Sequence, residues 1–353
     1  MKKLLTCGAL AAAALMAQPA TAQIKLNAAG ATFPNIIYQD WILTYNQQHK
    51  DVQLNYQSIG SGGGINQFTQ GTVDFAGSDA PMTDAQIATV NGNVLHIPTV
   101  LGAVVVTYNL PGVTQQLKFT PDVLADIYLG KITDWGNARI ASINPGVNLP
   151  KADILVVHRS DGSGTTYIWT DYLSKVSPEW AQKVGKNTSV DWPAGIGGKG
   201  NEGVSAAVAQ TPGAIGYVEL AYANSNKLAY ALLKNKAGTF INPTLEATTA
   251  AFAGSLKTLD PNTDFRVSIT NADGQVSYPI ASMTYLLVHK SYEDPAKAGA
   301  MLNYIWWAET AGQARAIPLG YAPLPAQLRP WIEKRLKSVT AGGKVAWRGP
   351  SGS

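Results

Sequence analysis

Residues 158–166, with the sequence HRSDGSGTT, combine one guanidinium group with several hydroxyls and two glycines. The guanidinium of Arg159 forms charge-assisted hydrogen bonds to oxyanions, and the hydroxyls of Ser163 and Thr165 are further donors. The two glycines allow the backbone to approach a ligand closely, and the first N–H groups of a helix have no partner inside it. This stretch therefore predicts a binding site for a tetrahedral oxyanion.

A purely structural role is the alternative interpretation of the same residues. Ser163 or Thr165 would then only cap the helix that follows, and Arg159 would only pair with Asp161. Capping is the commoner role for any single turn of this kind. The ligand interpretation gains support because similar turns occur elsewhere in the chain.

Three other turns carry related chemistry. Thr32 and Phe33 lie in a Gly/Ala turn, Ser61 lies in the glycine-rich loop GSGGG, and Asp79 follows a short predicted strand. Each turn lies at or near a strand end, and most of them precede a helix. Several helix starts on facing lobes would form a shared pocket for an oxyanion.

Asp79 is the unusual member of this group, because a carboxylate repels a fully ionised anion. It suits a ligand that carries a proton for the carboxylate to accept, which phosphate does at neutral pH and sulfate does not. Phosphate is therefore the favoured ligand. The alternative is that Asp79 only forms an Asx turn before Ala80-Pro81.

The elements around these turns alternate between strands and helices. Residues 154–157 are apolar and largely β-branched, as in a buried strand, and residues 167–176 have one apolar helical face. The same alternation continues elsewhere, with a helix over 65–69, a capping box at 83–86, strands at 94–100 and 102–108, a loop at 192–203, a helix over 204–210 and a frayed polar tail from Ala341. This pattern predicts an α/β protein that binds its ligand at the strand carboxyl ends.

Length and composition restrict the possible classes of protein. A chain of 353 residues exceeds the usual size of a single core, so two lobes are expected. Charged residues make up only 14% of the chain and form no basic run. Nucleic-acid or membrane-surface binding therefore has no electrostatic support.

The first residues are typical of a secretory signal peptide. An apolar run at 4–16 follows two lysines and precedes the motif Ala20-Thr21-Ala22, which predicts cleavage after Ala22. Loss of the two lysines would lower the formal net charge from +4 to +2. Cys7, the single cysteine, lies inside this segment, so the mature chain would contain neither a disulfide nor a reactive thiol. We therefore expect an exported protein in the periplasm.

Taken together, these turns resemble those of the periplasmic phosphate-binding protein of the high-affinity phosphate ABC transporter. The matching motifs are GATFP at 30–34, GSGG at 60–63, DF at 74–75, SDAP at 78–81, DIYLGKI at 126–132, DGSGT at 161–165, GGKGN at 197–201 and GAIGYVE at 213–219. They follow the same order over nearly the whole mature chain, so the resemblance is specific. One departure is Gly62, where some relatives have a second serine.

The resemblance implies the α/β type II periplasmic binding protein fold, with two lobes of mixed, mostly parallel sheets and a ligand cleft between them. Lobe 1 would comprise residues 23–104 and 286–353, lobe 2 would comprise residues 105–285, and the lobes would close on the ligand by a hinge motion. Asp161 would hold Arg159 in place. The implied phosphate site consists of Thr32, Phe33, Ser61, Asp79, Arg159, Asp161, Ser163, Gly164 and Thr165.

The resemblance also implies the partners of the protein. It would bind inorganic phosphate as a monomer and deliver it to the membrane subunits of the ABC importer. We expect no nucleic acid, no metal and no cofactor.

The main rival hypothesis is a phosphatase-like phosphoesterase that uses the same pocket. Neither Ser61 nor Ser163 lies in a G-x-S-x-G motif, and no histidine pair has metal-ligand spacing. The GGKG sequence at 197–200 lacks the Ser/Thr of a Walker A motif. Binding without turnover is therefore our hypothesis. A second rival is a binding protein for sulfate, molybdate or phosphonate, and a third is an adhesin or scaffold that only retains the fold.

Overall fold

The computed structural model describes residues 23–256 and 259–349; the predicted signal peptide and Cys7 lie outside this part of the chain. The strands are β1 (Ile24–Gly30), β2 (Val52–Ser58), β3 (Phe75–Ser78), β4 (Leu95–Tyr108), β5 (Lys118–Phe119), β6 (Leu155–Arg159), β7 (Ile196–Gly198), β8 (Ala214–Glu219), β9 (Ala229–Tyr230), β10 (Leu232–Lys234), β11 (Phe240–Ile241), β12 (Ala281–Val288), β13 (Ser291–Tyr292), β14 (Ala322–Pro323), β15 (Thr340–Ala341) and β16 (Lys344–Val345). The α-helices are α1 (Asn35–Gln48), α2 (Ser61–Thr69), α3 (Asp84–Thr89), α4 (Pro121–Tyr128), α5 (Ala138–Ile143), α6 (Gly164–Val176), α7 (Pro178–Lys183), α8 (Gly200–Gln210), α9 (Leu220–Ser225), α10 (Leu245–Ser255), α11 (Pro295–Glu309) and α12 (Arg329–Lys337).

The largest sheet has the strand order β2-β1-β3-β12-β4-β8-β6-β7, and β9 and β14 also pair with β4. At one end β1 pairs in parallel with β2 and β3, and at the other end β6 pairs in parallel with β7 and β8. The antiparallel pairs of this sheet involve its central strands β4 and β12. The predicted α/β fold with mixed, mostly parallel strands is confirmed.

Strand β4 is continuous and buried along its whole length, whereas two separate strands were predicted at 94–100 and 102–108. It pairs with β12 as far as Ala103 and with β8 from Val104 onward. The ladders formed with both neighbours keep the strand extended through Gly102. One strand therefore connects the two halves of the sheet.

The helices pack on this sheet through apolar side chains. The buried residues form one extensive core and a smaller cluster around Phe68 and Met82. The core contains many large aromatic rings, including fully buried Trp41, Trp135 and Trp169. Within the described ranges, no helix is long and apolar enough to cross a membrane.

Local capping determines the start of α3, as predicted. The hydroxyl of Thr83 accepts the N–H of Gln86 at 3.2 Å, and the side-chain oxygen of Gln86 accepts the N–H of Thr83 at 2.9 Å. Glutamine supplies the acceptor in this capping box.

Two other helices begin about one turn earlier than predicted, because tertiary contacts override the low helix propensity of glycine. The first residue of α2 is Ser61, and the first residue of α8 is Gly200. In α2 the N–H of Gly62 donates to the carbonyl of Gly162 at 2.9 Å. That hydrogen bond satisfies a first-turn donor which has no partner in its own helix.

The C-terminal segment is folded, so the prediction of a frayed tail from Ala341 is wrong. Strand β15 pairs with both β13 and β16. Trp347 is buried, and its Nε1 donates to Asn303 Oδ1 at 2.8 Å. The glycines at 342 and 343 have positive φ angles and form the turn between β15 and β16.

Candidate functional site

The predicted turns meet where β1, β3 and β6 end and where α1, α2 and α6 begin. The structure brings together all the predicted site residues, which are buried except for the half-buried Asp161. They are Thr32, Phe33, Ser61, Asp79, Arg159, Asp161, Ser163, Gly164 and Thr165.

Arg159 is held from within its own loop. Its Nε donates to Asp161 Oδ1 at 2.8 Å and its Nη2 to Asp161 Oδ2 at 2.5 Å, so the pair is bidentate. Its Nη1 donates to Thr165 Oγ1 at 3.3 Å, and Asp161 Oδ1 also accepts the N–H of Gly200 at 3.0 Å. Burial tends to raise the pKa of Asp161, but the hydrogen bonds and charge of Arg159 hold it below its ordinary value. The buried guanidinium is therefore fixed in position by an ionised carboxylate.

The start of α6 fulfils the structural role that was the alternative for this loop. Ser163 caps the helix by accepting the N–H of Thr166 at 3.0 Å. This cap uses an acceptor position of the Ser163 hydroxyl and leaves its proton able to donate. The N–H groups of Gly164 and Thr165 have no partner within the helix. Capping and anion binding are therefore compatible at this turn.

The opposite wall presents backbone donors. Within the described part of the chain, the N–H groups of Thr32 and Phe33 donate to no residue. Their carbonyl groups are occupied instead, because Tyr222 donates to the Thr32 carbonyl and Tyr321 to the Phe33 carbonyl, each at 2.7 Å. These two tyrosines fix the turn through its acceptors and leave its donors available for a ligand.

Asp79 is only 1% exposed, and its carboxylate makes no ion pair with a described residue. Its Oδ1 accepts a hydrogen bond from Thr284 Oγ1 at 2.8 Å, and its Oδ2 lies 3.4 Å from Ser61 Oγ. Burial raises the pKa of Asp79 to about 7, against the opposing effects of the Thr284 hydrogen bond and the Arg159 charge. These contacts differ from an Asx turn, and they leave the carboxyl group able to gain or lose a proton near neutral pH.

Gly164 marks a close approach between the two walls. A Cβ at this position would overlap with both Ser61 Oγ and Asp79 Oδ2. The first residue of α6 therefore has to be glycine for a steric reason that the sequence pattern does not reveal.

Two residues of the site were not predicted. Thr284 lies on β12 and orients Asp79, but its apolar strand gave no signal of this role. Asn201 is fully buried, and its Nδ2 donates to Thr32 Oγ1 at 2.7 Å and to Thr165 Oγ1 at 3.0 Å. The only available signal was the GGKGN motif at 197–201, which by itself indicates no role for the asparagine.

His158, to which the sequence assigned no ligand role, faces away from these donors. Its ring stacks on Trp192 with centroids 4.7 Å apart, and its Nδ1 lies 3.0 Å from the Arg159 carbonyl. Within the described ranges, no group of three or more His, Cys, Asp or Glu residues is placed to hold a metal ion.

The chemistry of the site suits a tetrahedral oxyanion. Helix starts, backbone N–H groups, hydroxyls and one guanidinium supply donors from two opposing walls. Asp79 alone adds a carboxyl group that is able to accept a proton from the anion. An anion that carries a proton would therefore satisfy both the donors and the acceptor.

Comparison with known proteins agrees with this chemistry. The PBP superfamily domain matches residues 16–309. The phosphate-binding protein PstS of Pasteurella multocida (strain Pm70) is 44% identical over 326 residues, covering 92% of this chain and 93% of the relative. The phosphate-binding protein PstS of Xylella fastidiosa (strain 9a5c) is 44% identical over 316 residues, covering 89% and 85%.

Solved structures share the fold. A high-affinity periplasmic phosphate-binding protein, PfluDING, solved with bound phosphate, has a TM-score of 0.68 and 21% sequence identity. The match covers 88% of this chain and 92% of that one. At this identity the similarity concerns the fold alone.

Proposed function

The chain belongs to the PBP superfamily and, within it, to the phosphate-binding proteins named PstS, and on this premise we propose that it binds inorganic phosphate in the periplasm and delivers it to a membrane ABC importer. Its relatives are named as binding proteins, and we extend this to the proposal that the chain binds phosphate without turnover. We propose that it acts as a monomer and needs no cofactor.

One observation carries the proposal: a single buried carboxyl group, with a pKa of about 7, lies among hydrogen-bond donors. Phosphate at neutral pH has oxygens for the donors and a proton for Asp79. Sulfate has the oxygens but no proton, so the carboxylate would face an anion without a hydrogen bond. An unsatisfied polar pair in a buried site is costly, and this cost favours phosphate.

We assign the predicted residues to roles on this basis. Arg159, positioned by Asp161, supplies the positive charge, and Asp79 accepts the phosphate proton. The other donors are the backbone N–H groups and hydroxyls of Thr32, Phe33, Ser61, Ser163, Gly164 and Thr165.

We propose that two lobes close over the ligand, residues 23–104 with 286–353 forming one lobe and residues 105–285 the other. The change of partners along β4 after Ala103 supports the first boundary. Since β12 pairs with β4 from Ala281 onward, the second boundary would lie a few residues before 286. Hydrogen bonds such as that from Gly62 N–H to the Gly162 carbonyl would form on closure.

Isothermal titration of the purified mature protein, stripped of bound anions, tests the binding proposal. We expect one phosphate per chain and no detectable heat from sulfate at the same concentrations. If phosphate gives no binding, or sulfate binds as tightly as phosphate, the proposed function is wrong.

A separate assay tests the absence of turnover. A chromogenic phosphate monoester incubated with the protein should release product only at the background rate. Product formation that copurifies with the chain and disappears in Ser61→Ala would support the phosphoesterase hypothesis instead.

A further inference from the structure

The orientation of the Asn201 side chain is determined by a backbone group. The N–H of Glu219 donates to Asn201 Oδ1 at 3.0 Å, and a backbone N–H can only donate. The amide oxygen must therefore face Glu219, and the NH₂ group must face Thr32 and Thr165, at 2.7 Å and 3.0 Å. The side chain is fully buried and has all its hydrogen-bonding groups engaged.

This orientation determines what the two threonine hydroxyls can do. Thr32 Oγ1 accepts from Asn201 Nδ2 and also from the Asn201 backbone N–H at 3.2 Å. Thr165 Oγ1 accepts from Asn201 Nδ2 and from Arg159 Nη1 at 3.3 Å. A hydroxyl has two acceptor positions and one proton, so both of these hydroxyls can only donate further. Among the described residues, neither hydroxyl donates to an acceptor.

We propose that Asn201 is a positioning residue that makes the hydroxyls of Thr32 and Thr165 obligate donors to the bound anion. This inference rests on the proposed phosphate-binding function and deepens it. Thr32 precedes α1 and Thr165 lies in α6, on opposite walls, so one amide group sets both hydroxyls only when the walls are together. Asn201 thereby couples closure of the site to the direction of its donors.

Asn201→Asp is the size-matched test, because the carboxylate keeps an acceptor for Glu219 N–H but loses the NH₂ donor. Both threonine hydroxyls would then donate to the carboxylate instead of the phosphate, and its charge would oppose the anion. We expect phosphate affinity to fall by about 10²-fold or more by isothermal titration. Asn201→Ala, which only releases the hydroxyls, should weaken binding by about tenfold.

A double-mutant cycle separates this role from a general structural one. If Asn201 acts through the two hydroxyls, Asn201→Ala should weaken phosphate binding by less than about threefold in a Thr32→Val/Thr165→Val background. Thermal unfolding of each ligand-free variant checks that it is folded. An equal loss of affinity in both backgrounds, or an Asn201→Asp variant that binds like wild type, would overturn the inference. Absence of phosphate binding by the wild type would instead contradict the proposed function itself.

Discussion

Asp161 and Asp79 lie on opposite walls of one site, yet their surroundings give them different charge behaviour. Asp161 is half-buried, binds Arg159 through both oxygens and accepts a backbone N–H, which holds its pKa below the ordinary value. Asp79 is more deeply buried and has hydroxyl neighbours, and burial raises its pKa to about 7. The first is a permanent anion, while the second changes its protonation near neutral pH.

The difference shows that the partners of a carboxyl group, as well as its burial, decide its role. Asp161 neutralises the charge of Arg159 in advance and fixes its direction. The site therefore carries little net charge and recognises its ligand through the pattern of donors and acceptors. Asp79 supplies the one acceptor in that pattern, so selectivity should depend on Asp79 and affinity on Arg159.

Replacing Arg159 by alanine breaks the comparison where the effect should be largest. Charge-assisted hydrogen bonds contribute roughly 1.5–3 kcal/mol each, so the loss of two should weaken phosphate binding by on the order of 10²-fold or more. Isothermal titration measures this directly. The control is Arg139→Ala, which removes a partly exposed arginine paired with Asp122 and should leave affinity unchanged. Unchanged affinity in Arg159→Ala would remove this residue from the site.

Asp79→Asn tests the selective side of the comparison. The amide oxygen can still accept the phosphate proton, while its NH₂ group can turn toward sulfate. Sites built to hydrogen-bond a group can reject an analogue lacking it by about 10⁴-fold, so the preference for phosphate over sulfate should shrink by at least about tenfold. Titration of both anions into wild type and variant at neutral pH gives this ratio. Sulfate binding that stays undetectable in the variant would show that Asp79 does not discriminate between the anions.

Asp161→Asn should have a smaller effect on phosphate affinity, because two consequences oppose each other. Arg159 loses its ionic partner and part of its orientation, but the site gains net positive charge. We expect affinity to change by less than about tenfold and association to become faster and more sensitive to salt. Stopped-flow fluorescence at several ionic strengths measures both rates. A loss as large as that of Arg159→Ala would mean that orientation by Asp161 dominates.

The smallest expected effect concerns stability in the absence of phosphate. The folded protein retains a proton on Asp79 that the unfolded chain loses above about pH 4, so this carboxyl lowers the free energy of unfolding as pH rises toward 7. The slope for one such group is at most about 1.4 kcal/mol per pH unit. Asp79→Asn should therefore become more stable relative to wild type between about pH 4 and 7, and this relative gain should level off above that range.

Urea unfolding in phosphate-free buffer across this range provides the measurement. Asp161→Asn is the matched control, because the lowered pKa of Asp161 places its contribution below this window. That contribution is present at higher pH and is lost as the pH falls through the folded-state pKa. A stability difference for Asp79→Asn that does not vary with pH would contradict the raised pKa.

Much of the site could be predicted from local sequence. Helix starts, glycines and hydroxyls identified the turns around Thr32, Ser61 and Arg159, and the structure places them together. The Thr83 capping box was likewise readable, because its partners lie within one helical turn. The contributions of Asn201 and Thr284 were not predicted, since their partners are distant in the chain.

The errors in the fold have the same origin. Glycines suggested a loop before residue 204, but tertiary hydrogen bonds extend α8 back to Gly200 and so place Asn201 inside the helix. The polar tail suggested fraying, but pairing with β13 and burial of Trp347 hold it in place.

The sequence by itself determined the α/β alternation, the anion-binding turns and the presence of one acceptor among donors, because these depend on residue type and short-range geometry. Only the tertiary structure decided the protonation behaviour of Asp79 and the donor direction of the Thr32 and Thr165 hydroxyls. A pKa depends on desolvation and on charges brought from elsewhere in the chain, and a hydroxyl proton points away from whatever donors the fold places beside it. Neither property belongs to a residue until its neighbours in space are known.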